Sequence, residues 1–141
     1  MGIRFPSPEW TAAFADAINA NEGYAKHGAG WTHGKVAYVV EERPELGIEG
    51  DTAMVLDLHE GKCRGATLTS AEAAEEEADF VIFAQYERWV EVLGGEVDPT
   101  KAMMQNKLKL EKGHLPTIVK YVLASKELVK SAEAIDTDFP G

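Results

Sequence analysis

The 141 residues include a single cysteine, Cys63, and no apolar run approaching the ~20 residues that a membrane-spanning helix requires. One cysteine excludes an intrachain disulfide and a thiolate metal cage, and it fits a reducing compartment better than secretion. On an expected strand Cys63 reads as a small packing residue. The first residues, Met-Gly-Ile-Arg-Phe-Pro-Ser-Pro, lack the apolar stretch of a secretory leader, so a cytoplasmic protein is expected. Basic residues are also short in supply. There are 14 against 24 acidic ones, a net charge of −10, which opposes the phosphate neutralisation behind nucleic-acid binding and excludes DNA or RNA as an expected partner.

Reactive constellations are missing as well. The four histidines, His27, His33, His59 and His114, show no i, i+4 pairing. His27 and His33 face each other across a glycine-rich loop without an obvious third ligand, so neither a metal nor a cofactor is expected. The serines lie outside any nucleophile elbow. Gly34-Lys35 lacks both the preceding glycine and the following Ser or Thr of a phosphate-binding loop.

What remains is enough for a core. With 45% apolar and 27% charged residues the chain has a globular composition. A domain of this length buries roughly two-thirds of the surface its unfolded form exposes. One domain over residues 1–141 is expected, its core at about 7–134 and its tail, 135–141, flexible.

Periodicity divides the chain into elements. Ser7 and Pro8 open a helix as N-cap and first helical residue, with Trp10, Phe14 and Ile18 on one stripe. It should fade at Asn19-Ala20-Asn21 into a glycine-rich loop or a short frayed turn. Residues 35–42 read as a strand with Val36, Tyr38 and Val40 on one face and Ala37 and Val39 on the other. Residues 51–59 and 62–69 form a hairpin about Glu60-Gly61, the acid-rich stretch 71–78 is composed of helix formers but is expected as a loop, and Phe80 to Ala84 is a fourth strand. A short helix reaches Gly94-Gly95, Asp98-Pro99 caps another, and a fifth strand alternates around Leu108 and Leu110. One long amphipathic helix, 115–134, closes the chain. The order implies an α+β fold, a five-stranded mostly antiparallel sheet covered by helices on one face.

The segment from Ala78-Asp79-Phe80-Val81-Ile82-Phe83-Ala84, through Gly94-Gly95-Glu96, to Asp98-Pro99-Thr100-Lys101-Ala102-Met103-Met104-Gln105-Asn106-Lys107-Leu108-Lys109-Leu110-Glu111 resembles the sterol carrier protein type 2 family. The Gly-Lys-Val-Ala-Tyr-Val-Val strand and the Leu-Asp-Leu hairpin match that family in order and spacing, so the resemblance covers about residues 7–130. Asn106 stands where the family usually has glycine, and Asn tolerates the left-handed turn required there.

The resemblance implies a non-catalytic domain enclosing an apolar tunnel for a fatty acid, fatty acyl-CoA, sterol or phospholipid. Aligned on Ala78-Asp79, the strands turn Phe80 and Ile82 inward beside Tyr38, Met54, Leu56 and Leu58. Met103 and Met104 suit a wall that accepts varied shapes. Phe14 and Ile18, Trp89 and Leu93, Leu108, and Ile118, Val119 and Val122 complete the expected ligand-binding set. The outward residues Val39, Val55, Val81 and Phe83 need a cover, either another element or a second copy of the chain, and a homodimer through this face is one expectation. Two other classes stand beside the carrier: a small acyl-CoA enzyme with Asp57, His59 or His114 at the cavity mouth, and an interaction module using the outward face. Residues 101–130 hold seven lysines against Glu111 and Glu127, a local charge of +5 that suits transient contact with an anionic membrane or ligand head.

Overall fold

The computed structural model describes residues 2–140. Its first long element is helix α1 (Pro8–Ala20), begun where Ser7 Oγ accepts the Trp10 backbone N–H at 3.0 Å and Pro8 supplies a preset helical φ. Trp10, Thr11, Phe14 and Ile18 form its buried stripe. The helix ends at Asn21, but the chain does not become a loop there. The Asn21 side chain accepts the N–H groups of Gly23 and Tyr24 and starts a second helix, α2 (Glu22–His27), which buries Tyr24.

The main sheet is built from β2 (Val36–Val40), β3 (Thr52–His59), β4 (Lys62–Ser70), β5 (Phe80–Ala84) and β6 (Lys109–Lys112), in the spatial order β4-β3-β2-β5-β6. Only β2 and β5 run parallel; Tyr38 pairs with Met54 on one side and Ile82 on the other. These central strands are apolar on both faces because both faces are covered. The β3–β4 hairpin turns through Glu60 (φ 48°) and Gly61 (φ 81°), the left-handed pair that matches strand twist. Gly61 is also required by proximity, since a Cβ there would lie 2.5 Å from the Ala25 carbonyl oxygen. Asn106 takes the left-handed conformation (φ 60°) that the sequence demands of it.

On the inner face lie α1, α2, α4 (Tyr86–Leu93), α5 (Pro99–Met104), α6 (Leu115–Lys120) and α7 (Val122–Glu133), around one large buried cluster. The outer face carries α3 (Ala71–Glu77) in place of the expected acidic loop. Ser70 Oγ caps it by accepting the Ala73 N–H at 3.2 Å. Ala74 and Ala78 then pack on Ala37, Val39, Ala53, Val55 and Val81, while Glu72, Glu75, Glu76 and Glu77 face water. Of the two covers expected for this face, another element or a second copy of the chain, the structure supplies the first. Val39, Val55 and Val81 are buried by α3 within one chain, and Phe83 is half-buried beside them.

Two further differences concern the C-terminal third. The long helix expected over 115–134 is two helices, broken at Tyr121, whose φ of −103° and ψ of 34° leave the helical region. The break is held by tertiary contacts: Tyr121 donates its hydroxyl to the Gly30 carbonyl at 2.9 Å and sets its ring edge-on to Trp31 at 5.1 Å. The tail, expected to be flexible, carries β7 (Thr137–Asp138), paired in parallel with β1 (Ile3–Arg4). Phe139 packs against Phe5 with ring centroids 5.7 Å apart, and the Tyr86 hydroxyl donates to the Pro140 carbonyl at 2.6 Å.

Candidate functional site

Alternation along the inner strands turns Val36 and Tyr38 of β2, Leu58 of β3 and Ile82 of β5 toward the helices, where they floor an internal cavity. Phe14 of α1, Tyr24 of α2, Trp89, Val92 and Leu93 of α4, Met103 of α5 and Leu108 form its walls. Ile118 of α6, Tyr121, and Ala124, Ser125, Leu128 and Val129 of α7 close it, with Trp31 and Pro99 at the side. No charged residue lines it. The cavity is narrow, about 40 Å³.

Hydrogen bonds fix its large aromatic rings. The Trp89 indole N–H donates to the Val39 carbonyl at 2.8 Å, and its ring lies 4.9 Å from that of Tyr38. The Trp31 indole donates to the Gly34 carbonyl at 2.9 Å. Satisfying each indole donor on backbone leaves its ring free to serve as apolar wall. Burial pushes the phenols of Tyr24 and Tyr38 well above the ordinary tyrosine value, Tyr24 further raised by Cys63 and Tyr38 by Tyr24, so both stay neutral O–H groups at physiological pH.

Of the residues expected in the binding set, Phe14, Tyr38, Leu58, Ile82, Trp89, Leu93, Met103, Leu108 and Ile118 line the cavity. Ile18, Met54, Leu56 and Phe80 are buried core outside its lining. Met104 is 66% exposed, because adjacent helical residues point about 100° apart and Met103 takes the inward direction. Val119 is 42% exposed and Val122 half-buried, for the same helical reason around the break at Tyr121. Tyr24, Trp31, Val92, Tyr121 and the inner face of α7 from Ala124 to Val129 were not anticipated. Tyr24 and Trp31 sit in the stretch read as a glycine-rich loop, and only their aromatic character in a polar neighbourhood signalled burial.

The three residues expected at the cavity mouth for an acyl-CoA enzyme each meet a neighbouring side chain. Asp57 pairs with Arg64 at 3.0 Å, His59 faces Glu60 at 3.7 Å, and His114 Nδ1 lies 3.2 Å from Thr117 Oγ1. None lines the cavity.

Comparison with known proteins rests on this same framework. The model of the SCP-2 sterol transfer family matches residues 24–114, from the cavity-lining Tyr24 to the residue before α6. The chain belongs to that family. A crystal structure of sterol carrier protein 2 is similar at 39% identity and a TM-score of 0.85, covering 92% of this chain and 97% of the other. The solution structure of a conserved hypothetical protein from Thermus thermophilus, suggested to be a sterol carrier protein, is similar at 38% identity and a TM-score of 0.85, covering 94% and 90%. The apo form of sterol carrier protein 2 from Yarrowia lipolytica shares the fold at 16% identity and a TM-score of 0.54, over 86% of this chain and 87% of that one. Comparison with curated protein sequences finds no match. Family membership and the shared fold support lipid binding and transfer as the general class of function. Among the described residues no helix is long and apolar enough to cross a membrane.

Proposed function

We propose that this protein binds one lipid in the cavity between the sheet and α4–α7 and carries it without altering it. The observation that carries the reading is the lining, which is aromatic and aliphatic and includes no charged residue. Burying about a dozen methylenes at ~0.8 kcal/mol each yields roughly 10 kcal/mol gross before ordering and association costs, so useful affinity needs no reactive group.

Pockets that hold drug-sized ligands run from about 300 to 1,000 Å³, far above the 40 Å³ found here. Loading therefore requires the wall to move. Helix α6 is the element suited to it, for it buries only Ile118 fully and leaves Leu115 and Val119 exposed at 36% and 42%. By contrast α7 is fastened from outside, since Asn21 Nδ2 donates to the Glu127 carbonyl and to Ser131 Oγ, both at 3.0 Å. The lid is thus α6, hinged at Tyr121.

The same region meets the donor membrane in this reading. Leu115, Val119 and Leu123 are exposed beside Lys120, and Lys101, Lys107, Lys109 and Lys120 make no ion pair among the described residues. Exposed apolar side chains beside the unpaired Lys120, in a stretch of chain rich in other unpaired lysines, suit an anionic lipid surface.

Native mass spectrometry followed by organic extraction tests the carrier. Co-purifying lipid is expected, together with a shift in Trp31 and Trp89 emission when long-chain ligands are titrated. Absence of both removes the reading. Binding to anionic vesicles should fall with salt and in Lys107→Gln/Lys120→Gln, and binding that is indifferent to both would remove the membrane step.

A further inference from the structure

Helices α6 and α7 are separate where the sequence pattern fits one helix. Residues 117–133 contain neither glycine nor proline, and Ile118, Val122 and Val129 continue at helical spacing across position 121. At Tyr121 the hydrogen-bond ladder is interrupted all the same. Its N–H reaches the Thr117 and Ile118 carbonyls at 3.3 and 3.1 Å, and the next turn starts from its own carbonyl, which accepts from the Ser125 N–H at 3.0 Å. A sharp break in a helix has a local cause, and with no breaker in the sequence the cause here is where the Tyr121 side chain is held.

It is held by the loop between α2 and β2. The Tyr121 hydroxyl donates to the Gly30 carbonyl at 2.9 Å, and its ring meets those of Trp31 at 5.1 Å and His33 at 5.6 Å. Trp31 is a fixed post. Its indole donates to the Gly34 carbonyl at 2.9 Å, its own carbonyl accepts from the Glu60 N–H at 2.8 Å, and its ring packs on Phe80 at 5.2 Å. Gly30 fits the contact closely, since a Cβ there would stand 3.2 Å from the Tyr121 hydroxyl oxygen. Helix α6 is otherwise lightly attached, for Ile118 is its one fully buried residue.

We propose that the Tyr121 side chain is the latch of the cavity: its hydroxyl and ring hold α6 bent against the loop, and their release, which lets α6 turn toward the line of α7, sets the rate at which a lipid enters and leaves. This rests on the carrier reading and adds how its exchange is controlled. Latched, the chain keeps Ile118 and Tyr121 in the cavity wall. Released, it can run its ladder on through residue 121, so each position has bonds of its own and the element has two states rather than one that merely frays. The short link Gly113-His114 back to β6 limits how far α6 travels. The latch is closed in both the empty and the loaded protein and open only during passage. Weakening it therefore speeds entry and release alike and leaves their ratio, the affinity, unchanged.

The test compares the full chain with Tyr121→Phe and Gly30→Ala by two readouts. Methyl relaxation dispersion on the lipid-free protein follows Ile118 of α6, with Ile18 and Ile48, buried outside the cavity lining, as references. The open population seen at Ile118 should rise about fivefold to tenfold in Tyr121→Phe and about twofold to fivefold in Gly30→Ala, with both references unchanged. Stopped-flow mixing with cis-parinaric acid, a fatty acid that fluoresces in apolar surroundings, should show association and dissociation accelerated by the same factors. The affinity of Gly30→Ala should stay within about twofold of the unaltered protein. An Ile118 signal indifferent to both changes overturns the latch. A raised open population with unchanged probe rates, or with dissociation accelerated and association not, overturns its control of exchange and leaves the carrier standing. Should Tyr121→Phe fail to fold, Gly30→Ala decides, because it alters only the loop. Failure of the probe to bind the unaltered protein tells against the carrier reading, and the Ile118 measurement then decides the latch without it.

Discussion

The two faces of the sheet are made by alternate residues of the same strands, yet they pack in opposite ways. On the outer face Ala37, Val39, Ala53, Val55 and Val81 meet the alanines of α3, small against small. On the inner face Tyr38, Leu58, Ile82, Trp89 and Met103 meet across a gap. Small side chains on a helix allow close approach and near-complete contact, whereas long and aromatic ones bridging several short helices leave space at their junctions. The outer face therefore holds the sheet together. The inner face leaves a gap in its packing, where the proposed ligand would enter.

The largest break in that contrast should come from Trp89→Ala, which removes the biggest fully buried side chain of α4 and its bond to the Val39 carbonyl. A loss of about 3–5 kcal/mol is expected in chemical denaturation. Next comes Ala74→Leu, because Ala74 is 0% exposed against the valines and has no room to grow. Overpacking there should cost about 1–3 kcal/mol without changing ligand affinity. Ala124→Val adds two methyl groups at the cavity instead. It should change stability by less than about 1.5 kcal/mol while weakening lipid binding severely. If the two enlargements proved equally damaging to stability, the distinction between a full face and an open one would fail.

Much of this contrast was legible before the structure, and the missing parts share a cause. Strict alternation from Val36 to Val40 gave both faces of β2, and the Glu60-Gly61 turn set the hairpin, because both signals are local. The family pattern from Ala78 to Glu111 carried the five-stranded α+β fold, whereas the parallel pairing of β2 with β5 comes from the structure alone, because periodicity does not fix strand direction. The helix-forming composition of α3 was visible, but its packing role was hidden because its buried contacts are alanine, which hydrophobic patterning weighs lightly beside four glutamates. The break at Tyr121 was invisible because its hydroxyl bonds to Gly30, 91 residues away. The tail strand depends on Ile3 and Arg4 at the other end of the chain in the same way. The facing of strand residues was placed better than that of helical ones, since Tyr38, Met54, Leu56, Leu58, Phe80 and Ile82 all reach the inner cluster although only Tyr38, Leu58 and Ile82 line the cavity. A two-residue period leaves no ambiguity of facing, while Met103 against Met104 is decided by the rotation of a six-residue helix.

The smallest expected effect concerns how each face is tied to β2. Just before β2, Lys35 Nζ donates to Glu77 at the end of α3, at 2.8 Å, fastening the outer helix. Beyond its other end, Arg43 grips Glu87 of α4 through several guanidinium bonds, the Nε–H one at 3.2 Å, fastening a cavity wall. The bond to Arg43 holds the Glu87 carboxyl below its ordinary value. A lowered folded-state pKa means that the stabilisation is fully present above the unfolded value of 4.5 and is lost as pH falls through the folded value. Because half of the Glu87 side chain is exposed, water screens the pair and the effect should be modest. Glu87→Gln should lower the melting temperature slightly at neutral pH, and the gap to the unaltered protein should close as the solution is acidified past that range. If α4 is a mobile cavity wall, the same variant should also exchange lipid faster at neutral pH than Glu77→Gln, which loosens only the outer helix. Equal exchange rates for the two variants would mean that α4 takes no part in opening and that movement is confined to α6.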